Sequence, residues 1–111
     1  MNTAQAANYQ CIPATDAVTL IRSEPIIAIF DVRDLNDYRQ GHIAQAAHLA
    51  ESRLMAWFGR LDKSQPVLIY CNLGNASKTY AQMFADFRFS RVYSVDGGYK
   101  PLAEALAKSG Q

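Results

Sequence analysis

Leu68-Ile69-Tyr70-Cys71-Asn72-Leu73-Gly74-Asn75-Ala76-Ser77-Lys78 joins a strand to a helix through a cysteine-led loop. An apolar run stops at a cysteine, a polar loop with one glycine follows, and a helix begins. A cysteine so placed sits at the C-terminal edge of a sheet. It faces backbone N–H groups from the loop and from the helix N-terminus. Those groups favour an anion, and so favour thiolate over thiol. Cys71 is therefore a candidate nucleophile. The competing reading is a buried structural cysteine, a common fate of that residue. Position weighs against it, because Cys71 follows the last aromatic of the strand and opens a polar loop.

Strand-like and helix-like segments alternate on either side of this stretch. Tyr9–Ile12 is a short strand, stopped by Pro13. Thr15–Ser23 carries Ala17, Val18, Leu20 and Ile21 at helical spacing. Ile26–Val32 is apolar throughout, as expected of a strand buried on both faces. It runs into Asp31-Val32-Arg33, where charge arrives as the strand leaves the sheet. Asp34–Arg39 reads as a short helix with Gly41 as its C-cap. His42-Ile43 and Ala46–Leu49 read as brief extended pieces, and Ser52–Phe58 as a helix ending near Gly59. Pro66 opens the strand Val67–Tyr70. After the loop Cys71–Ala76, Ser77–Phe87 reads as a helix with Tyr80, Ala81, Phe84 and Phe87 inward. Ser77 is a plausible N-cap for it. Val92–Val95 is a further strand, closed by Asp96-Gly97-Gly98, and Tyr99–Lys108 is the last helix.

Such alternation without hairpin turns predicts an α/β fold, with a central mainly parallel sheet of about five strands and helices on both faces. Ligands of such sheets bind beyond the carboxyl ends of the strands. Asp31–Arg33, Cys71 and Asp96–Gly98 all lie at those ends and should cluster.

The chain has 111 residues, which predicts one domain over 1–111, with residues 1–8 frayed. Half of the residues are hydrophobic and 19% are charged, so a core of ordinary size is available. A net charge of +1 without a basic block gives no reason to expect nucleic acid or a membrane surface as partner. Cys11 and Cys71 are too few for a disulfide framework, and their spacing fits no zinc pattern. No signal peptide is visible at Met1–Ala7, and the apolar runs are too short to span a bilayer. A reducing cytoplasm is the expected compartment for the free thiol.

What the loop lacks narrows the chemistry. A thiol phosphatase needs an arginine at the place of Ser77 to clamp phosphate, and Lys78, one residue on, offers no bidentate fork. Dithiol redox chemistry needs a second cysteine three residues from the first, where Gly74 stands instead. A Cys–His hydrolase needs a base, and sequence places neither His42 nor His48 against Cys71. Gly74 and Asn75 tolerate positive φ, so the loop can curl and converge its N–H groups on one point. Such a nest could hold an extra sulfur atom on the thiolate. Asp31, Arg33 and His42 form a second polar group bordering this pocket. A structural role is the simpler reading for Arg33 and His42, and Asp31 is open. Lys78 reads as solvated, though it could raise the local potential for an anionic substrate. Gly97-Gly98 reads as a tight turn, Trp57 with Phe58 as core, and Cys11 as inert.

Three ordered motifs carry a family resemblance. Phe30-Asp31-Val32-Arg33, Asp37-Tyr38, Gly41-His42-Ile43 and Ala46-Ala47-His48-Leu49 resemble the N-terminal signature of rhodanese domains. Val67–Tyr70 into Cys71, Gly74 and Ser77 resembles their active-site loop. Val92-Tyr93-Ser94-Val95-Asp96-Gly97-Gly98-Tyr99 resembles their C-terminal signature. Within the family, Cys71-x-x-Gly74-Asn75-x-Ser77-Lys78 and Gly41-His42-x-x-Gln45-Ala46-x-His48-Leu49 resemble the small bacterial single-domain sulfurtransferases of the glycerol-3-phosphate regulon. The resemblance implies a rhodanese fold and transfer of sulfane sulfur from thiosulfate through a persulfide on Cys71. It assigns persulfide binding to Asn72, Leu73, Gly74, Asn75, Ala76 and Ser77, with Lys78 beside them. It implies a small anionic sulfur donor, cyanide or a thioredoxin-like or other dithiol acceptor, and no metal or organic cofactor. Other roles that the same residues allow are a low-activity sulfur carrier or interaction module and, with less support, a phosphatase or arsenate reductase. The loop departs from many thiosulfate-using relatives in carrying no basic side chain between Cys71 and Ser77.

Overall fold

The computed structural model describes residues 8–110. The stretch 1–7 of the segment read as frayed lies outside them. Five strands alternate with helices: β1 (Gln10–Ile12), α1 (Ala14–Ser23), β2 (Ala28–Asp31), α2 (Leu35–Gln40), β3 (Ala47–His48), α3 (Leu54–Arg60), β4 (Val67–Tyr70), α4 (Ala76–Asp86), β5 (Val92–Val95) and α5 (Tyr99–Ser109). One turn of 3-10 helix, Glu51–Arg53, leads into α3. The strands form one sheet in the order β1-β5-β4-β2-β3, and every neighbouring pair is parallel. The expectation of a parallel α/β sheet with helices on both faces therefore holds.

β4 is the middle strand, and all four of its residues are buried. Successive side chains point to opposite faces. Val67 and Ile69 enter a core with Phe30, Leu54, Phe58, Ala81, Phe84 and Phe89, beneath α3 and α4. Leu68 and Tyr70 enter a second core with Ala17, Val18, Ile43, Val95 and Leu102, beneath α1 and α5. Each fully buried side chain of leucine or phenylalanine size stabilises the fold by about 1.5–3 kcal/mol. The continuous apolar run of β4 is thus the imprint of two cores rather than one.

Three local expectations are corrected. Ile26 is not in a strand: it lies in a turn after Pro25, closed by the Ile27 N–H donating to the Glu24 carbonyl, and is 61% exposed. Phe87 is not fully inward. It follows the last residue of α4 and is 43% exposed, with its ring stacked on Phe58 at 4.3 Å. Gly41 follows α2 as expected, but with φ 163°, an extended conformation open to any residue.

Candidate active site

Parallel pairing brings three strand ends together. Cys71 follows β4, Asp31 ends β2 on one side, and the turn Asp96-Gly97-Gly98 follows β5 on the other. Cys71 continues the alternation of Val67 and Ile69, so its side chain belongs to the α4 face of the sheet. It is only 4% exposed.

The loop curls as its glycine allows. Gly74 has φ 98°. A side chain there would meet the Gly97 nitrogen at 3.0 Å and the Val95 carbonyl at 3.3 Å. Gly98 (φ 78°) lies against the loop backbone, where a Cβ would stand 2.5 Å from the Cys71 carbonyl oxygen. The Tyr99 N–H donates to that same carbonyl at 2.8 Å. The glycine turn after β5 is thus the floor on which the cysteine loop rests.

The curled loop aims donors at the sulfur. The Gly74 N–H donates to Cys71 Sγ at 3.1 Å and the Ser77 N–H at 3.3 Å. Ser77 is the second residue of α4, and the residue before that helix, Asn75, makes no side-chain cap. The sulfur therefore takes the place of an N-cap oxygen, accepting an N–H that the helix leaves unpaired. Ser77 is not the N-cap that its position suggested. Its hydroxyl is turned inward, 3.4 Å from Cys71 Sγ and 2.7 Å from the hydroxyl of Ser94. Burial alone would push the Cys71 thiol up. The Ser77 hydroxyl and the N–H groups of Ser77, Gly74 and Leu73 outweigh it and hold the thiol below its ordinary value.

Arg33 lines a hollow above the Cys71 sulfur, and the buried Asp31, which does not line it, holds the guanidinium in place. Asp31 is fully buried and accepts four bonds from Arg33: the backbone N–H at 2.9 Å, Nε at 3.1 Å to each oxygen, and Nη2 at 2.8 Å. Nη2 also donates to the Gly41 carbonyl at 2.6 Å, and the guanidinium lies 3.9 Å over the Tyr99 ring. Burial works against the Arg33 charge, but the Asp31 carboxylate overrides it and raises the pKa. His48 Nε2 lies 2.7 Å from the Arg33 carbonyl, which can only accept, so Nε2 carries the hydrogen. Tyr70, on the opposite face from Cys71, accepts the Ile43 N–H at 3.1 Å, and burial together with the Asp31 carboxylate keeps its phenol neutral.

The hollow above the sulfur measures about 310 Å³ and is lined by Val32, Arg33, Asp34, Cys71, Asn72, Leu73, Asn75 and Ala76. Gly74 and Ser77 are buried beneath it. Lys78 is exposed and borders a different hollow, with Tyr9 and Met83. His42 also stands apart. It is exposed, stacks on Tyr38 at 3.7 Å, and borders a hollow formed with Ile43, Tyr99 and Leu106. A larger hollow of about 560 Å³ separates α1 from α5, but no cysteine or histidine lines it. The smaller one holds Cys71, the candidate nucleophile, and we place the candidate site there. Among the described residues its single lining cation, Arg33, is matched by Asp31, and Asp34 adds an acidic group at the rim.

Local sequence gives Ser94, Asp34 and Tyr99 no site role of their own. A signal for Ser94 existed: it is a hydroxyl in the apolar strand β5, and it is 1% exposed.

Comparison with known proteins agrees with this geometry. Residues 14–105 match the family described as the rhodanese-like domain. The chain is 38% identical, over 92 residues, to the thiosulfate sulfurtransferase GlpE of Coxiella burnetii, covering 83% of this chain and 85% of that one. Among solved structures, a rhodanese-related protein from Thermoplasma volcanium superposes with a TM-score of 0.68 at 22% identity, covering 92% of this chain and 94% of the other. A protein of Rhodopseudomonas palustris described as a possible tyrosine phosphatase superposes with a TM-score of 0.70 at 22% identity, covering 92% and 82%. At that identity both show a shared fold.

Proposed function

Because this chain belongs to the rhodanese-like domain family, we propose that it is a sulfurtransferase that carries sulfane sulfur as a persulfide on Cys71, with thiosulfate as a donor. The observation that carries the reading is the pair of backbone N–H groups, from Gly74 and Ser77, on a buried cysteine sulfur beneath an open hollow.

The thiolate attacks the outer sulfur of thiosulfate. A new S–S bond forms, the donor's S–S bond breaks, and sulfite leaves with the electron pair. This splits one transfer into two easier steps. Charge then rests on the outer sulfur, in the hollow walled by Asn72, Leu73, Asn75 and Ala76. The Gly74 and Ser77 N–H groups reach Cys71 Sγ, and preorganised donors aimed at developing charge contribute about 3–4 kcal/mol each when the electron pair returns to that atom. An acceptor such as cyanide, or a dithiol of the thioredoxin kind, then attacks the outer sulfur and restores the thiolate. The phosphatase reading lacks support here. Ser77 stands where a phosphate-clamping arginine would be needed, and its side chain is buried against Ser94.

The test is the intact mass after incubation with thiosulfate. One added sulfur, removed by cyanide and absent in Cys71→Ala, is the expected result. An unchanged mass in the parent protein would overturn the persulfide reading.

A further inference from the structure

We propose that Ser94 is a positioning residue for the Cys71 sulfur, acting through Ser77 as a relay of two hydroxyls that reverses direction when the sulfur gains or loses charge. The inference rests on the reading of Cys71 as the sulfur carrier.

The geometry begins in the sheet. Ser94 pairs in register with Ile69, two residues before Cys71, so strand alternation puts its side chain on the face of the sheet that Cys71 shares. Ser77 reaches the same point from the first turn of α4. Both serines are buried, Ser77 fully and Ser94 to within 1%. Buried hydroxyls stay in place when their hydrogen bonds are satisfied. These two satisfy each other at 2.7 Å, and Ser77 also reaches the sulfur at 3.4 Å.

A hydroxyl both donates and accepts, so the chain of three groups can be bonded in two directions. With a thiol, the S–H donates to Ser77 Oγ, and the Ser77 O–H donates to Ser94 Oγ. With a thiolate, the order turns round. The Ser94 O–H donates to Ser77 Oγ, and the Ser77 O–H donates to the sulfur. No bond is lost in the reversal, and each bond polarises the next. A single hydroxyl without Ser94 behind it would lose this second contact.

The relay matters most in the second half of the reaction. The acceptor attacks the outer sulfur, the bond from that sulfur to Cys71 Sγ breaks, and the electron pair returns to Sγ. Thiocyanate is the product when cyanide is the acceptor. The charge on Sγ reappears at that moment, against Ser77. Ser94 thus makes Cys71 a better leaving group without touching substrate.

Two readouts test this in the full chain. The first is titration of the Cys71 thiolate by its ultraviolet absorbance, taken as the difference from Cys71→Ala. The second is single-turnover discharge of the thiosulfate-loaded protein to cyanide. Ser94→Ala is expected to move the titration to higher pH and to slow discharge about three- to tenfold, the range for losing one hydrogen-bonding partner. Ser94→Thr, which keeps the hydroxyl, is expected to restore both. In a Ser77→Ala background, Ser94→Ala is expected to add nothing, because the relay is already cut. Unchanged titration in Ser94→Ala overturns the proposal, and so does an undiminished effect of Ser94→Ala in the Ser77→Ala background. Failure of the parent protein to take up sulfur would sink the transfer reading alone. The titration would still decide the relay.

Discussion

Gly98→Ala offers a severe test of how the glycine turn supports the cysteine loop. Gly98 has φ 78° and ψ −149°, a region open essentially to glycine alone, and a residue with a side chain placed there costs about 1–3 kcal/mol. The added Cβ would also stand 2.5 Å from the Cys71 carbonyl oxygen and closer still to the Asn72 carbonyl oxygen. Both of these are backbone atoms, which cannot swing away as a flexible side chain would. Relieving such overpacking costs about 1–3 kcal/mol more. The sum is about 2–6 kcal/mol, and in a domain of about 100 residues each 1 kcal/mol lowers Tm by about 4–8 °C. A fall of at least about 8 °C is therefore expected in a thermal melt. The clash also pushes on the loop that aims the Gly74 and Ser77 N–H groups at the sulfur. Sulfur transfer from thiosulfate to cyanide, measured well below the new Tm, should fall about tenfold or more, as loss of one aimed donor would produce. Gly59→Ala is the control. Gly59 is exposed in α3 with nothing within 4 Å of a Cβ, so alanine should stabilise by about 0.5–1 kcal/mol and leave turnover alone. A Gly98→Ala protein that melts like its parent, or that is destabilised yet fully active, would show that the glycine turn does not support the cysteine loop.

Three other outcomes are expected. Asp31→Asn leaves the Arg33 guanidinium buried without its counter-charge, and breaking such a pair costs about 3–5 kcal/mol; urea unfolding measures it, and an unchanged midpoint would show that the pair is dispensable. Leu73→Lys adds a cation at the rim, where Leu73 is 75% exposed; about 1 kcal/mol of attraction in water should lower KM for thiosulfate about fivefold at low salt, and the gain should shrink as salt rises. The Cys71 thiol lies below its ordinary value of 9.0 in the folded chain, so between the two values the unfolded chain binds more protons and stability rises with pH. That contribution is complete above 9.0 and is lost as pH falls through the folded value. Urea midpoints of the parent minus those of Cys71→Ala, followed across pH, should show this slope, and a flat difference would contradict it.

Local sequence signals suffice for the layers and for the position of the candidate site. Apolar runs such as Val67–Tyr70 encode burial on two faces, and that property implies a parallel sheet whose working edge lies at the strand ends. Cys71, Gly74 and the Asp96-Gly97-Gly98 turn could be set at that edge because their signals are local: a strand that stops, a glycine that permits positive φ. Which strands are neighbours follows only from the folded chain. The order β1-β5-β4-β2-β3 puts Ser94 beside the cysteine strand and Asp31 on its other side, a result of pairing between distant segments that no local spacing records. The folded chain also decides how each polar group is satisfied. Ser77 is no helix cap because α4 already begins at Ala76; its N–H reaches the sulfur and its hydroxyl turns to Ser94, while Arg33 folds onto Asp31 and Tyr99. His42, adjacent in sequence to Gly41, whose carbonyl accepts from Arg33, points to another hollow altogether. Periodicity fixes which face a residue occupies, whereas its partner across that face depends on lateral packing and on the demand that every buried polar group find a mate.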